Sequence, residues 1–197
     1  MHKTLYLIRH GVIQSNLEGI YAGRSSEGLT AVGLAQAELL GQEIGQWGIQ
    51  AIYCSPLQRT LQTAQILNRH CRTELLIDEN LNELDLGKWT GLSKAQVYAR
   101  YPAEYRIWIS NPAQFKEDGM ESLVEVRGRV LRSANRFVRG EQPQIAAFVT
   151  HAVAIKVLVL HYRQQSMELY HKIEAPNLCV YRVTIHGRDG TSVERLK

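Results

Sequence analysis

The stretch Thr4-Leu5-Tyr6-Leu7-Ile8-Arg9-His10-Gly11 runs an unbroken apolar segment directly into an arginine and a histidine. The apolar run predicts a buried β-strand over Thr4–Ile8. Arg9 and His10, released at the tip of such a strand, are not core filler. The strand holds its last residues rigidly, and Gly11 lets the backbone turn away without a side chain blocking the histidine. Alone the tripeptide is unspecific; its weight depends on what else converges on it.

Outward from this strand, strand and helix patterns alternate, which argues for an α/β fold. Thr30 is a good N-cap for a helix carrying Leu34, Ala37, Leu40, Ile44 and Trp47 at helical spacing, with Gly48 closing it. Residues 50–54 read as a short strand, and Ser55-Pro56 opens a helix whose stripe is Leu57, Leu61, Ala64 and Leu67. Residues 74–77 form a third strand. From 78 to about 118 the pattern is irregular, with one short helix near 93–100. A helix over roughly 121–139 buries Leu123, Val126, Val130, Ala134 and Phe137, and places Arg129, Arg132, Arg136 and Arg139 on a solvated face. An apolar strand at 144–149, an apolar helix at 152–161 and a closing hairpin of 178–185 and 191–195 around Gly187 and Gly190 complete the chain. The expected architecture is a single α/β domain over 1–197, with a largely parallel central sheet and helices on both faces.

Composition bounds the function. The 197 residues suffice for one full core, and 45% hydrophobic with 21% charged residues is ordinary for a globular protein. No window approaches a membrane span, and the short apolar N-terminal run, followed at once by Arg9 and His10, is not a signal peptide. Cys54, Cys71 and Cys179 form no CxxC pair, so neither a disulfide framework nor a zinc site is indicated, and a reduced, cytoplasmic setting is expected. The net charge of +4 without a basic stripe interleaved with aromatics argues against nucleic acid and is compatible with a pocket for an anionic substrate.

Three residues then share a geometric property. His10 follows the first strand, Arg59 lies early in the helix after the second, and His151 follows the strand at 144–149. The carboxyl ends of strands in an open parallel sheet define its ligand crevice, so these residues can meet there. With Arg9 they make a site rich in positive charge, and arginine forks match phosphate oxygens. The chemistry indicated is phosphoryl transfer: an unprotonated His10 nitrogen attacks phosphorus, while Arg9, Arg59 and a protonated His151 neutralise the phosphate oxygens. The leaving alkoxide needs a proton, which Glu83 in Leu81-Asn82-Glu83-Leu84-Asp85 is placed to supply, with Asp85 as competitor. A metal site is not expected, since the arginines repel a cation and no acidic cluster accompanies the histidines. His2, His70, His161, His171 and His186 lack motif context; Trp89 and Trp108 are expected to pack, and Cys54 to be inert.

The chain resembles the histidine phosphatase superfamily, also called phosphoglycerate mutase-like. Leu7-Ile8-Arg9-His10-Gly11 is similar to its signature, Ser55–Ala64 to the block with the second arginine, Leu81-Asn82-Glu83 with Gly87-Lys88-Trp89-Thr90-Gly91 to the proton-donor block, and Val149-Thr150-His151 to the second histidine block. The blocks run in family order across essentially the whole chain. The resemblance implies a cofactor-independent, metal-free phosphomonoester hydrolase acting on a small phosphorylated metabolite, with Asn16 contacting phosphate. Thr60 stands where alanine is usual, Ala152 replaces a glycine, and Gly119-Met120-Glu121-Ser122 is a variant Gly-Glu-Ser block. Ala22 stands where many members place a polar side chain, so a backbone amide near Gly23 takes that contact or the donor is missing. Two alternatives stand beside the hydrolase: a phosphoglycerate mutase, whose primer-dependent members carry a longer insertion after the proton-donor block, and a non-catalytic phosphate-binding module. The stretch 16–23 is similar to members acting on α-ribazole phosphate; phosphoserine, sugar phosphate and phosphoglycerate remain open as substrates, as does a homodimer.

Overall fold

The computed structural model describes residues 2–187 and 190–197 of the chain. In chain order the strands are β1 (Lys3–Arg9), β2 (Ala51–Cys54), β3 (Glu74–Ile77), β4 (Ile145–Thr150), β5 (Val180–Ile185) and β6 (Thr191–Arg195). The helices are α1 (Gln14–Glu18), α2 (Ala31–Ile44), α3 (Gln58–Cys71), α4 (Lys94–Arg100), α5 (Pro102–Ser110), α6 (Leu123–Arg139) and α7 (Ala152–Tyr162). The sheet order is β3-β2-β4-β1-β5-β6. The first four strands are mutually parallel, whereas β5 pairs antiparallel with β1 and β6 antiparallel with β5.

Side chains of β1 alternate between two cores, as the two-residue period of a strand requires. Leu5 and Leu7 pack toward α6 and α7, while Tyr6 and Ile8 face α2 and α3. Central strands covered on both faces account for the unbroken apolar run. The expected α/β architecture, with helices on both faces of a largely parallel sheet, is therefore the observed one. Among the described residues, no helix is long and apolar enough to cross a membrane.

Several boundaries differ from expectation. α3 begins at Gln58, not at Ser55-Pro56; the Ser55 hydroxyl is engaged with His151 and Asn82 and, of the backbone N–H groups that follow it, receives that of Leu57, at 3.3 Å. α2 ends at Ile44 with Gly45 as its cap, and Gly48 (φ +69°) instead turns the chain toward β2. The irregular segment holds a second helix, α5, for which Pro102 is the first-turn residue and not a breaker. α1 was not expected; it is five residues long and buries none of them, so it leaves no periodic signal. The closing strands are present, and residues 188 and 189 between them lie outside the described residues.

Candidate active site

β1 and β4 are neighbours in register, Arg9 opposite Thr150, and the His10 N–H donates to the Thr150 carbonyl at 3.0 Å. His10 and His151 therefore leave adjacent strand tips side by side, their ring centroids 5.2 Å apart and the rings inclined at 61°. Strand order reverses here, since the chain passes from β1 to β2 on one side and from β4 to β5 on the other. A cavity of about 420 Å³ opens at this point, and Arg9, His10, Asn16, Gly23, Arg59 and Glu83 stand in its wall. His151 lies behind them, fully buried.

Hydrogen bonds assign the two imidazoles distinct roles. His10 Nδ1 lies 2.7 Å from the Gly11 carbonyl. A carbonyl can only accept, so the proton is on Nδ1 and the lone pair on Nε2. Burial, then Arg9 and Arg59, hold the His10 imidazole well below its ordinary pKa, and the Gly11 carbonyl opposes this only in part. His10 is a neutral base with Nε2 unprotonated. His151 accepts from Arg59 Nε at Nδ1 (3.3 Å), so its Nε2–H donates to Ser55 Oγ (2.9 Å), which passes its own proton to Asn82 Oδ1 (2.9 Å). Burial, then Arg59, His10 and Arg9, also push His151 well down. The expectation of a protonated His151 is thereby corrected: burial, with the cationic Arg59, Arg9 and Arg129 nearby, favours the neutral ring.

The arginines are differently committed. Arg59 spends three of its five N–H donors on His151, the Ser25 carbonyl (2.9 Å) and the Gly23 carbonyl (2.7 Å), leaving two for a ligand. Arg9 gives Nη1 to the Ala175 carbonyl at 2.6 Å, whereas its buried Nε has no partner among the described residues. An orphaned charged donor in a cavity wall is an invitation to an anion. Asn16 accepts at Oδ1 from Asn177 (2.9 Å) and from the Ile13 N–H (3.4 Å), which leaves its amide NH₂ for the cavity. Gly23, at φ +50°, has no room for a side chain, because a Cβ there would meet Thr90 Oγ1 at 2.6 Å.

Glu83 and Asp85 are resolved by where they point. Glu83 Oε1 accepts from the N–H groups of Leu84 (2.9 Å) and Val153 (3.3 Å), the latter in the first turn of α7, so its carboxylate faces a helix N-terminus across the cavity. Asp85 caps the Gly87 N–H (3.0 Å) and pairs with Arg24 at 3.7 Å, outside the wall. The Glu83 backbone is itself held by Arg129, which is buried, contrary to the solvated face expected for it. Arg129 donates to the carbonyls of Asn80 (2.7 Å), Asn82 (2.5 Å) and Glu83 (3.0 Å) and to both Glu121 oxygens (2.7 and 2.8 Å). Arg132, Arg136 and Arg139 are exposed as expected. A hint was available: Arg129 falls three residues after Val126 and four before Ser133, at the border of the apolar stripe.

Trp89 and Trp108 are core residues, and burial pushes the Cys54 thiol up to about 11. Thr60 is accommodated because its one hydroxyl proton is shared between the Leu57 (2.6 Å) and Ser55 (2.9 Å) carbonyls. Sequence patterns did not reveal Asn177, whose amide also donates to the carbonyls of His10 (3.1 Å) and Gly11 (3.2 Å), nor the wall residues Lys156 and Tyr170. His171, set aside for want of a motif, lies at the cavity too.

Two histidines at adjacent parallel strand tips, flanked by arginines at the sheet's switch point, give this α/β protein a cationic cavity suited to an anion. The model of the histidine phosphatase superfamily (branch 1) matches residues 5–196, and the chain belongs to this superfamily. It is 29% identical over 191 residues to "Putative phosphoserine phosphatase 2" of Hydrogenobacter thermophilus, covering 97% of this chain and 94% of that one. It is 35% identical over 161 residues to "Probable phosphoglycerate mutase GpmB" of Salmonella paratyphi B, covering 79% and 72%. The solved structure of Bacillus stearothermophilus YhfR superimposes with a TM-score of 0.91 at 25% identity, covering 98% and 96%.

Proposed function

We propose that the protein hydrolyses phosphate monoesters of small metabolites through a phosphohistidine on His10. The observation that carries this is the neutral His10, its Nδ1–H tied to the Gly11 carbonyl and its Nε2 free beside two arginines. Nε2 attacks phosphorus, the bond from phosphorus to the leaving oxygen breaks, and Glu83 gives that oxygen its proton. The ring becomes cationic, and the Gly11 carbonyl and the cavity-side carboxylate offset the new charge. Water then loses a proton to Glu83 and attacks phosphorus; the P–N bond breaks, returning neutral His10 and inorganic phosphate. Arg9, Arg59, Asn16 and the Gly23 N–H hold the equatorial oxygens, with His151 alongside fixing Arg59. No cofactor or metal enters this scheme, and the free cysteines, two of them buried, suit the cytoplasm.

The relative named as a phosphoserine phosphatase supports hydrolysis of a phosphorylated metabolite of that size. The test is an assay on 4-nitrophenyl phosphate with acid-quench and base-quench trapping of labelled enzyme. The wild type is expected to turn over and to yield an acid-labile, base-stable phosphoenzyme, and His10→Ala to lose at least about 10³-fold in kcat. Full activity in that variant sinks the mechanism. Transfer of the phosphoryl group back to 3-phosphoglycerate in preference to water makes the protein a mutase instead.

A further inference from the structure

Four of the charged side chains in the cavity wall are cationic (Arg9, Arg59, Lys94, Lys156) and only Glu83 is acidic. A phosphomonoester dianion bound between the two arginines leaves the lysines uncompensated. Lys156 belongs to the same face of α7 as Ala152 and Val153, which also line the cavity, and Val153 is the residue whose N–H holds Glu83. Its ammonium lies over the ring of Tyr170, 4.7 Å from the centroid, with no ion-pair partner among the described residues. Burial lowers its pKa, as do Arg9 and Lys94, while Glu83 and, more weakly, Cys179 oppose them. Lys94, in the first turn of α4, is exposed at the mouth of the cavity.

Position decides what this cation faces. Glu83 stands where the leaving oxygen departs, so the wall just beyond Glu83 surrounds the carbon skeleton of the leaving group. We propose that Lys156, with Lys94 at the mouth, forms a second anion subsite, and that the preferred substrate is a phosphate monoester whose leaving group carries a carboxylate. This rests on the phosphatase reading above. A second phosphate is disfavoured as the occupant. The subsite offers ammonium point charges, that of Lys156 lying over an aromatic ring, without the guanidinium fork that suits a phosphate dianion. The same chemistry disfavours α-ribazole phosphate, whose leaving group is uncharged.

The experiment measures kcat/KM on two matched pairs, 3-phosphoglycerate with glycerol 3-phosphate and O-phosphoserine with phosphoethanolamine, beside 4-nitrophenyl phosphate. The wild type is expected to prefer the carboxylate member of each pair by about ten- to a hundredfold, as for a buried charge-assisted contact. Lys156→Met, which keeps the length and apolar stem, is expected to bring both ratios close to one; Lys156→Gln serves as a second variant. Equal wild-type rates within each pair, with 4-nitrophenyl phosphate hydrolysed, overturn this inference alone. So does a variant that keeps the preference. No hydrolysis of any of the five by the wild type overturns the phosphatase reading and this one with it.

Discussion

Arg129 is the side chain whose role differs most from its appearance in the sequence. All five of its N–H donors are used, three of them on carbonyls of the 80–83 segment that carries Glu83. Glu121 neutralises it and in turn pairs with Arg24 at 3.0 Å, so one largely buried ion pair ties three separate segments together. Breaking a buried pair typically costs about 3–5 kcal/mol, and three backbone carbonyls would also lose their donor. Arg129 lies outside the cavity wall; it positions the segment that carries Glu83, the proposed acid. Arg129→Lys, which keeps the charge but not the fork, is expected to lower kcat on alkyl phosphates about 10²-fold while affecting 4-nitrophenyl phosphate much less, because a good leaving group needs little protonation. Equal losses on both substrates would reduce Arg129 to a structural part.

At the scale of elements, the site depends on how closely α2 approaches the loop after β1. A Cβ on Gly33 would lie 2.3 Å from the Val12 carbonyl oxygen, and one on Gly11 would lie 2.9 Å from the Gly33 carbonyl. Gly11 is thus required by backbone packing against a helix, a reason that its place after the histidine does not reveal. Gly33→Ala is expected to cost about 3 kcal/mol, read as a lower urea midpoint, and to reduce kcat by displacing the Gly11 carbonyl that fixes the His10 tautomer. An unchanged midpoint would show that the loop yields freely. A second element contact was equally invisible in the sequence. Lys3, almost fully buried, donates to the carbonyls of Phe137 (2.7 Å), Gly140 (2.6 Å) and Pro143 (2.9 Å) and so closes the C-terminal end of α6. A lysine at the start of an apolar strand reads as a solvent-facing boundary; only the placement of α6 over that strand turns it inward.

For the whole molecule, the two buried neutral histidines link the site to global stability. Both are held well below the ordinary value of about 6.5 that they regain on unfolding. Between those values the unfolded chain binds protons that the folded one refuses, so stability is full above about pH 6.5 and falls as pH drops toward the folded values. Each histidine contributes at most about 1.4 kcal/mol per pH unit in that window. Tm is expected to fall from pH 7 to pH 5, and His151→Asn to flatten the slope; a wild-type Tm independent of pH over that range would contradict the burial of neutral rings. The fold was legible because its cause is local and periodic: the two-sided apolar strands β1 and β4 and the amphipathic α6 announce an α/β sheet residue by residue. His10, Arg59, Glu83 and His151 were legible as well, since each ends or follows such an element and the topology of parallel sheets sends them to one edge. The state of His151, the inward turn of Arg129 and Lys3, the use of Asn177 and the unpaired Lys156 were not. Those depend on which neighbours surround a polar group in three dimensions, and burial and long-range hydrogen bonds set charge and tautomer only once the chain has closed around them.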